Sequence, residues 1–299
     1  MAFVARNFSM VDNDTGEVFL QQDGESAVTI RTVEGQKRAQ RYAEQKDGSP
    51  RSVKSKEDGF IWCIFNVARE LHPEISPASL TRLMYLATFV REDGLIVEDF
   101  KGKPMSLDKV RHKIDASDAT FWRFWKEVRS NGVVVDAPGG LAIDRSMFRF
   151  GGLDRRELQA LRSDDIYISK VWVQAVRYLY ENASERTMKQ LSVLFRIMPF
   201  VNRQFNVVCW NPLEERQSEI RRMTLAEVAE IAGYKAKDLT RFQSNLMGII
   251  FDRNGRMMNA VNYTYHNNGG VAQHSLYINP YVYYGGNRFA EAEILGFDR

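Results

Sequence analysis

One pattern of apolar and polar positions occurs twice in this chain. MSLDKVRHKIDASDATFWRFWKEV, beginning at Met105, lies over MTLAEVAEIAGYKAKDLTRFQSNL, beginning at Met223, without a gap. Leu107, Val110 and Ile114 in the first copy, and Leu225, Val228 and Ala232 in the second, recur at helical spacing and define one buried face. Ser106 and Thr224 stand where a side-chain oxygen caps the free amides of a helix start. A short turn at Asp115-Ala116 or Gly233-Tyr234 ends that helix. A second helix follows at once, turning Phe121, Phe124 and Val128, or Leu239, Phe242 and Leu246, inward.

The flanks repeat as well. An amphipathic helix precedes each copy, SLTRLMYLATFV at Ser79 and TMKQLSVLFRIM at Thr187, with Leu83 matching Leu191 and Leu86 matching Leu194. After each copy comes a short apolar strand, VVV at Val133 or IIF at Ile249, then a Gly-rich turn and another strand. In the second copy, VNYTYHNNGGVAQHSLYI alternates around Asn267-Asn268-Gly269-Gly270, a sequence that tolerates positive φ and favours a hairpin. GLIV at Gly94 and FNVVCW at Phe205 each offer a third strand, and the copies close on LAIDRSMFRFGG and LYINPYVYYGG. Two copies of this size are two domains rather than a solenoid.

The pattern predicts an α+β chain, predominantly helical, made of two tandem winged-helix domains: a helix-turn-helix followed by a β-hairpin. Residues 58–153 hold the first and 166–287 the second, with 154–165 as a polar connector and 288–299 as a tail. Residues 1–57 read as a hydrophobic-poor segment ending in a flexible basic arm. Thr29 to Glu44 has the makings of a short helix. Between Lys37 and Lys56 there are seven Lys/Arg against two acids, and Gly48, Ser49 and Pro50 break any helix there.

Composition narrows the function classes. The 299 residues carry 41 Lys+Arg against 38 Asp+Glu, a formal charge of +3, and 44% hydrophobic residues, the balance of an ordinary globular protein. No window approaches the roughly 20 apolar residues of a membrane helix, and the amino terminus lacks a signal-peptide core, so a cytoplasmic protein with no membrane partner is expected. Cys63 and Cys209 each sit in an apolar run, which suits free buried thiols rather than a disulfide or zinc site.

The second helix of a helix-turn-helix presents its early solvent-facing residues to base edges while surrounding cations meet phosphates. In the second copy these are Lys235, Lys237, Thr240, Arg241, Gln243 and Ser244. Arg241 and Gln243 are the best readers, since arginine pairs with guanine and glutamine with adenine. Arg221 and Arg222 precede the first helix; Arg253, Arg256, Asn267 and Asn268 are wing-tip candidates. In the first copy Lys109, Lys113, Thr120, Arg123 and Lys126 supply charge and polarity. Trp122 and Trp125 there are expected to include a surface for a protein partner, because four neighbouring aromatics overfill one small core. From Arg186 to Arg256 there are twelve Lys/Arg against seven Asp/Glu, which makes this stretch more basic than the whole.

No phosphate-cradling glycine loop, nucleophile elbow or HExxH run is present, and His72, His112, His266 and His274 are dispersed. The tyrosine-rich segment from Tyr263 to Tyr284 reads as a sheet packed on helices. A non-enzyme without metal or cofactor is expected.

Two short segments resemble a family. VDNDTGEVF at the amino terminus and INPYVYYGG from Ile278 look like the D-x-x-TGEV opening and the NP-aromatic-x-aromatic-x-G strand of winged-helix proteins of plasmids and phages, including RepL-type replication proteins. The resemblance covers the first twenty residues loosely and Thr187 to Gly286 better. The first copy departs from it, with Asp144-Arg145 in place of Asn-Pro. It implies sequence-specific binding of double-stranded DNA, to start replication or regulate transcription, with a homodimer or a host replication or transcription protein as further partner. A protein-protein adaptor built on winged-helix scaffolds is the rival expectation.

Overall fold

The computed structural model describes residues 8–11, 17–21, 28–31, 59–66, 69, 71–98, 102–150, 166–268, 271–286 and 297. The chain divides into two compact units, Met1–Ser55 and Lys56–Arg299.

In the first unit, β1 (Phe8–Val11), β2 (Glu17–Gln21) and β3 (Val28–Arg31) form an antiparallel sheet in the order β1-β2-β3. Of the short helix expected over Thr29 to Glu44, the first three residues belong instead to the strand Val28–Arg31, and the rest lies outside the described residues. The run VTIR is rich in β-branched residues, which fit a pleated surface better than a helix. The basic arm from Lys37 to Lys56 lies outside the described residues.

The second unit opens with β4 (Phe60–Asn66) and continues through α1 (Pro77–Ala87), α2 (Leu107–Ile114), α3 (Asp118–Ser130), β5 (Val134–Ala137), β6 (Gly140–Ile143) and β7 (Phe148–Phe150). The path then repeats with insertions: β8 (Ile166–Trp172), α4 (Val173–Glu181), α5 (Glu185–Arg196), α6 (Leu225–Ile231), α7 (Leu239–Met247), the hairpin β9 (Ile250–Arg253) and β10 (Arg256–Asn259), the hairpin β11 (Val261–Asn268) and β12 (Val271–Ile278), and β13 (Tyr283–Tyr284). The protein is α+β, with antiparallel sheets throughout its described residues. Helix does not predominate as expected, because strands join the two copies and close each of them.

The repeat holds at the level of single hydrogen bonds. Ser106 Oγ accepts from the amide of Lys109, and Thr224 Oγ1 from that of Glu227. The turns after α2 and α6 pass through the left-handed region at matched positions, Asp115 at φ 45° and Gly233 at φ 78°. Met105 donates its amide to Ile96, as Met223 does to Val208. The expected third strands pair at Leu95↔Ala142 and Val207↔Tyr277. Asp144 Oδ1 caps the amide of Ser146 at 2.8 Å and Asn279 Oδ1 that of Tyr281 at 2.9 Å, so the Asp-Arg and Asn-Pro variants build one turn.

The two copies are not separate domains. β4 and β8 pair antiparallel at the centre of a four-stranded sheet ordered β13-β8-β4-β7. Phe148 of β7 sits opposite Cys63, and Tyr283 of β13 opposite Val171. Cys63 therefore corresponds to Val171 and Ile61 to Ser169. The register pairs Ile61↔Val171 and Cys63↔Ser169 exchange under that correspondence, so a local twofold passes through Trp62↔Lys170. The matched helices α1 and α5 pack on each other beside the sheet. Every residue of α1 from Ser79 to Ala87 is buried, and one continuous apolar core runs through both copies. A helix buried all round needs neighbours on every side, which one copy cannot supply.

The expected carboxyl-terminal tail returns to the body at one described point. Phe297 is buried and its carbonyl accepts from the amide of Asn259.

Candidate nucleic-acid interface

The face of α7 away from the core follows from its sequence. Phe242 and Leu246 are buried, which turns Thr240, Arg241 and Ser244 to solvent, and a 3-10 turn over Ala236–Asp238 adds exposed Lys237 to the same side. Lys235 precedes it, also exposed. Neither lysine has an ion-pair partner among the described residues. Gln243 is half-buried at the edge of this face, which makes it a weaker reader than the sequence implied. Arg241 lies 3.2 Å from Asp238 Oδ1, one turn earlier. With 65% of the Arg241 side chain in solvent, this surface pair holds the guanidinium only loosely.

At the entrance to α6, Thr224 and Glu227 form a reciprocal capping box, and the Trp210 indole donates to Glu227 Oε1 at 3.1 Å. These bonds, led by that from the Thr224 amide, hold the Glu227 carboxyl below its usual range. The two arginines just before the cap diverge. The Arg222 backbone forms a β-bridge with Cys209 and its side chain is half-buried with Nε enclosed, while Arg221 is exposed. Successive residues of an extended segment face opposite ways, so one of the pair turns inward. Of the two arginines expected at the phosphate backbone, Arg221 is therefore the more accessible.

Two hairpins follow α7, as the strand-turn-strand run from Ile249 and the alternation around residues 267–270 predict. β9 and β10 meet at Asn254-Gly255, both at positive φ (54° and 81°), as a tight hairpin turn demands. Arg253 and Arg256 flank this tip in register. Arg253 stacks its guanidinium 3.0 Å above the Tyr281 ring, so it braces the hairpin, while Arg256 is exposed. Asn267 and Asn268 lie at the end of β11, opposite Ala272 and Val271, on the other hairpin. The side chains there lie outside the described residues.

In the first copy, α3 buries Phe121, Phe124, Trp125 and Val128 and exposes Ala119, Trp122, Arg123 and Lys126. The gapless alignment sets these four over Lys237, Thr240, Arg241 and Ser244, so the two copies present the same helical face. Trp122 is 48% exposed and Trp125 only 8%. Trp125 stacks on Phe121 at 5.8 Å and 14°, and is a core residue rather than a partner surface. The core holds three of the four aromatics because α1 packs against α3 and widens it.

Several cations of this copy are held in ion pairs. Lys109 pairs with Glu98, and its bond is the main cause of a lowered Glu98 carboxyl. Arg111 pairs with Asp118 and Arg129 with Asp136. Lys113 is exposed, with Nζ 5.5 Å from the centre of the Phe89 ring. Thr120 is half-buried and accepts from the Ser117 hydroxyl at 2.9 Å. The first hairpin turns at Pro138-Gly139 and has no cation at its tip.

Among the described residues no group of three or more His, Cys, Asp or Glu is placed to hold a metal, and no helix is long and apolar enough to cross a membrane. Tyr277, Tyr283 and Tyr284 are buried; the Tyr283 hydroxyl donates to the carbonyl of Leu194 at 2.9 Å, and burial pushes it well above the usual phenol range. Asp238 and Tyr281 are visible in the sequence on this helix face and in the tyrosine-rich segment, but their contacts with Arg241 and Arg253 are not. The i, i+3 spacing of the first pair permits a contact without requiring one; Tyr281 lies 28 residues from its partner and left no local signal.

Comparison with protein-family models, curated proteins and solved structures finds no match.

Proposed function

We propose that this chain is a sequence-specific double-stranded DNA-binding protein of a phage or plasmid, acting as replication initiator or transcription regulator through tandem winged helices. The observation that carries the reading is the α7 face. Lys237, Thr240, Arg241 and Ser244 stand in solvent on one side of a short helix, directly after a capped partner helix and directly before a hairpin with exposed Arg256 at its tip. A second helix with polar residues early on its free side is suited to a major groove, and the adjacent hairpin to the flanking backbone. Lys235 and Arg221 extend the positive rim. The adaptor reading drew on Trp122 and Trp125 together, and only Trp122 is available.

Enrichment of bound fragments from a random duplex library, washed at two salt concentrations, tests the reading. A defined motif is expected, with affinity falling steeply as salt rises. Salt-sensitive binding without a motif, or no binding, overturns it. The position of the motif in the source replicon then separates origin from promoter.

A further inference from the structure

We infer that the α3 face of the first copy binds single-stranded DNA, with Trp122 as a stacking platform and Arg123 and Lys126 on the flanking phosphates. This goes beyond duplex reading by α7 and does not rest on it.

The starting point is an indole that packing does not explain. A tryptophan is a large apolar group, yet Trp122 keeps 48% of its surface in solvent while its neighbours Phe121, Phe124 and Trp125 are buried. It is held rather than loose: its ring meets Phe121 edge-on at 5.3 Å and 72°. In the second copy the same position is Thr240, a small polar residue. The difference lies on a helical face that both copies leave open.

Its surroundings are cationic. Arg123 is adjacent and Lys126 one turn further on, both exposed and neither with an ion-pair partner among the described residues. Asp118 is paired with Arg111 and Asp136 with Arg129, while Glu127 keeps its charge and is held on the Ser76 side by that residue's hydroxyl at 2.9 Å. Arg123 and Lys126 outnumber that one carboxylate, so the net charge beside the indole is positive, which favours a polyanion.

Base pairing decides between the forms of DNA. A duplex offers only base edges in its major groove, where donors and acceptors rather than a flat ring make the contact. An unpaired base offers its whole π-face, and aromatic platforms with flanking cations are how proteins hold single strands without sequence preference. Trp122, Arg123 and Lys126 supply both parts within one and a half turns of helix.

The test is fluorescence anisotropy of the full chain with a dye-labelled oligothymidine of about 12 nucleotides, beside a duplex carrying the enriched motif or, failing one, random sequence. Trp122→Ala is expected to weaken oligothymidine binding about tenfold, and Trp122→Phe to retain most of it. Arg123→Ala with Lys126→Ala should weaken it too and flatten its dependence on salt. Trp122→Ala should leave duplex affinity unchanged, and Arg241→Ala should do the reverse. A Trp122→Ala protein with wild-type circular dichroism and wild-type oligothymidine affinity would overturn the inference. So would equal losses for single strand and duplex, which would make Trp122 part of a duplex site. Loss of duplex binding by Arg241→Ala alone bears on the proposed function and not on this site.

Discussion

Arg82 of α1 and Glu185 of α5 join the two copies of the repeat across their shared core. The Arg82 guanidinium, with its side chain 3% exposed, donates to both carboxylate oxygens of Glu185, at 2.7 and 2.9 Å. Removing the carboxylate leaves a buried cation without its partner, whereas water can still reach the site from the exposed Glu185 side. Glu185→Ala is expected to lower stability by about 1–3 kcal/mol in urea unfolding. Arg82→Met, which removes the buried charge along with its need, should cost less. A single unfolding transition for Lys56–Arg299 follows from the common core; two transitions would show that the copies fold independently.

The reading face of α7 yields a pair of opposed changes. Arg241→Ala should weaken binding to the enriched motif by about 1–3 kcal/mol and blur one base position. Asp238→Asn removes the carboxylate that holds Arg241 and a negative charge beside the DNA, and should tighten binding by about 0.2–1 kcal/mol at low salt. Titration of both variants against the same duplex checks this. Unchanged affinity and preference for Arg241→Ala would remove it from the site.

Capping sets a stability prediction with a pH signature. Thr224→Ala loses the hydroxyl that accepts from Glu227, and should cost about 1 kcal/mol. Glu227→Gln keeps an acceptor but loses the charge. Because the folded Glu227 carboxyl titrates below its ordinary value, its ionised form stabilises the fold at neutral pH and ceases to do so as the pH falls through the folded pKa. The stability gap between wild type and Glu227→Gln should therefore be full above about pH 5 and close on further acidification. A gap that widens in acid would reverse the assigned direction.

The two thiols report on the core. Burial pushes Cys209 up to about 12 and raises Cys63 further still, so neither offers a thiolate at neutral pH. Both should react with an aromatic disulfide reagent only as fast as the protein opens, and rapidly in urea. Prompt modification of either thiol in the native protein would contradict its burial.

How much of this was legible in the sequence follows from the range of each interaction. The repeat, its caps at Ser106 and Thr224, the turns at Asp115 and Gly233, the β11–β12 hairpin and the third strands at Leu95 and Val207 all rest on residues close in the chain or on spacing that repeats. Periodicity, capping chemistry and turn preference are local, so the chain displays them without its fold. The exposed face of α7 is legible for the same reason, once Phe242 and Leu246 are assigned inward.

Tertiary structure decided what lies between those elements. Nothing near Trp62 or Lys170 announces that β4 and β8 pair on a twofold, since a strand's partner is chosen by register over about a hundred residues of intervening chain. Whether Trp122 or Trp125 stays in solvent depended on where α1 packs, because the four aromatics of α3 compete for one core whose width the helix itself does not fix. Arg253 stacks on Tyr281, a partner that comes from another element. The sequence determined the repeated units and their free faces by short-range chemistry; their fusion into one body, and the side chains left to meet a partner, came from packing between distant segments.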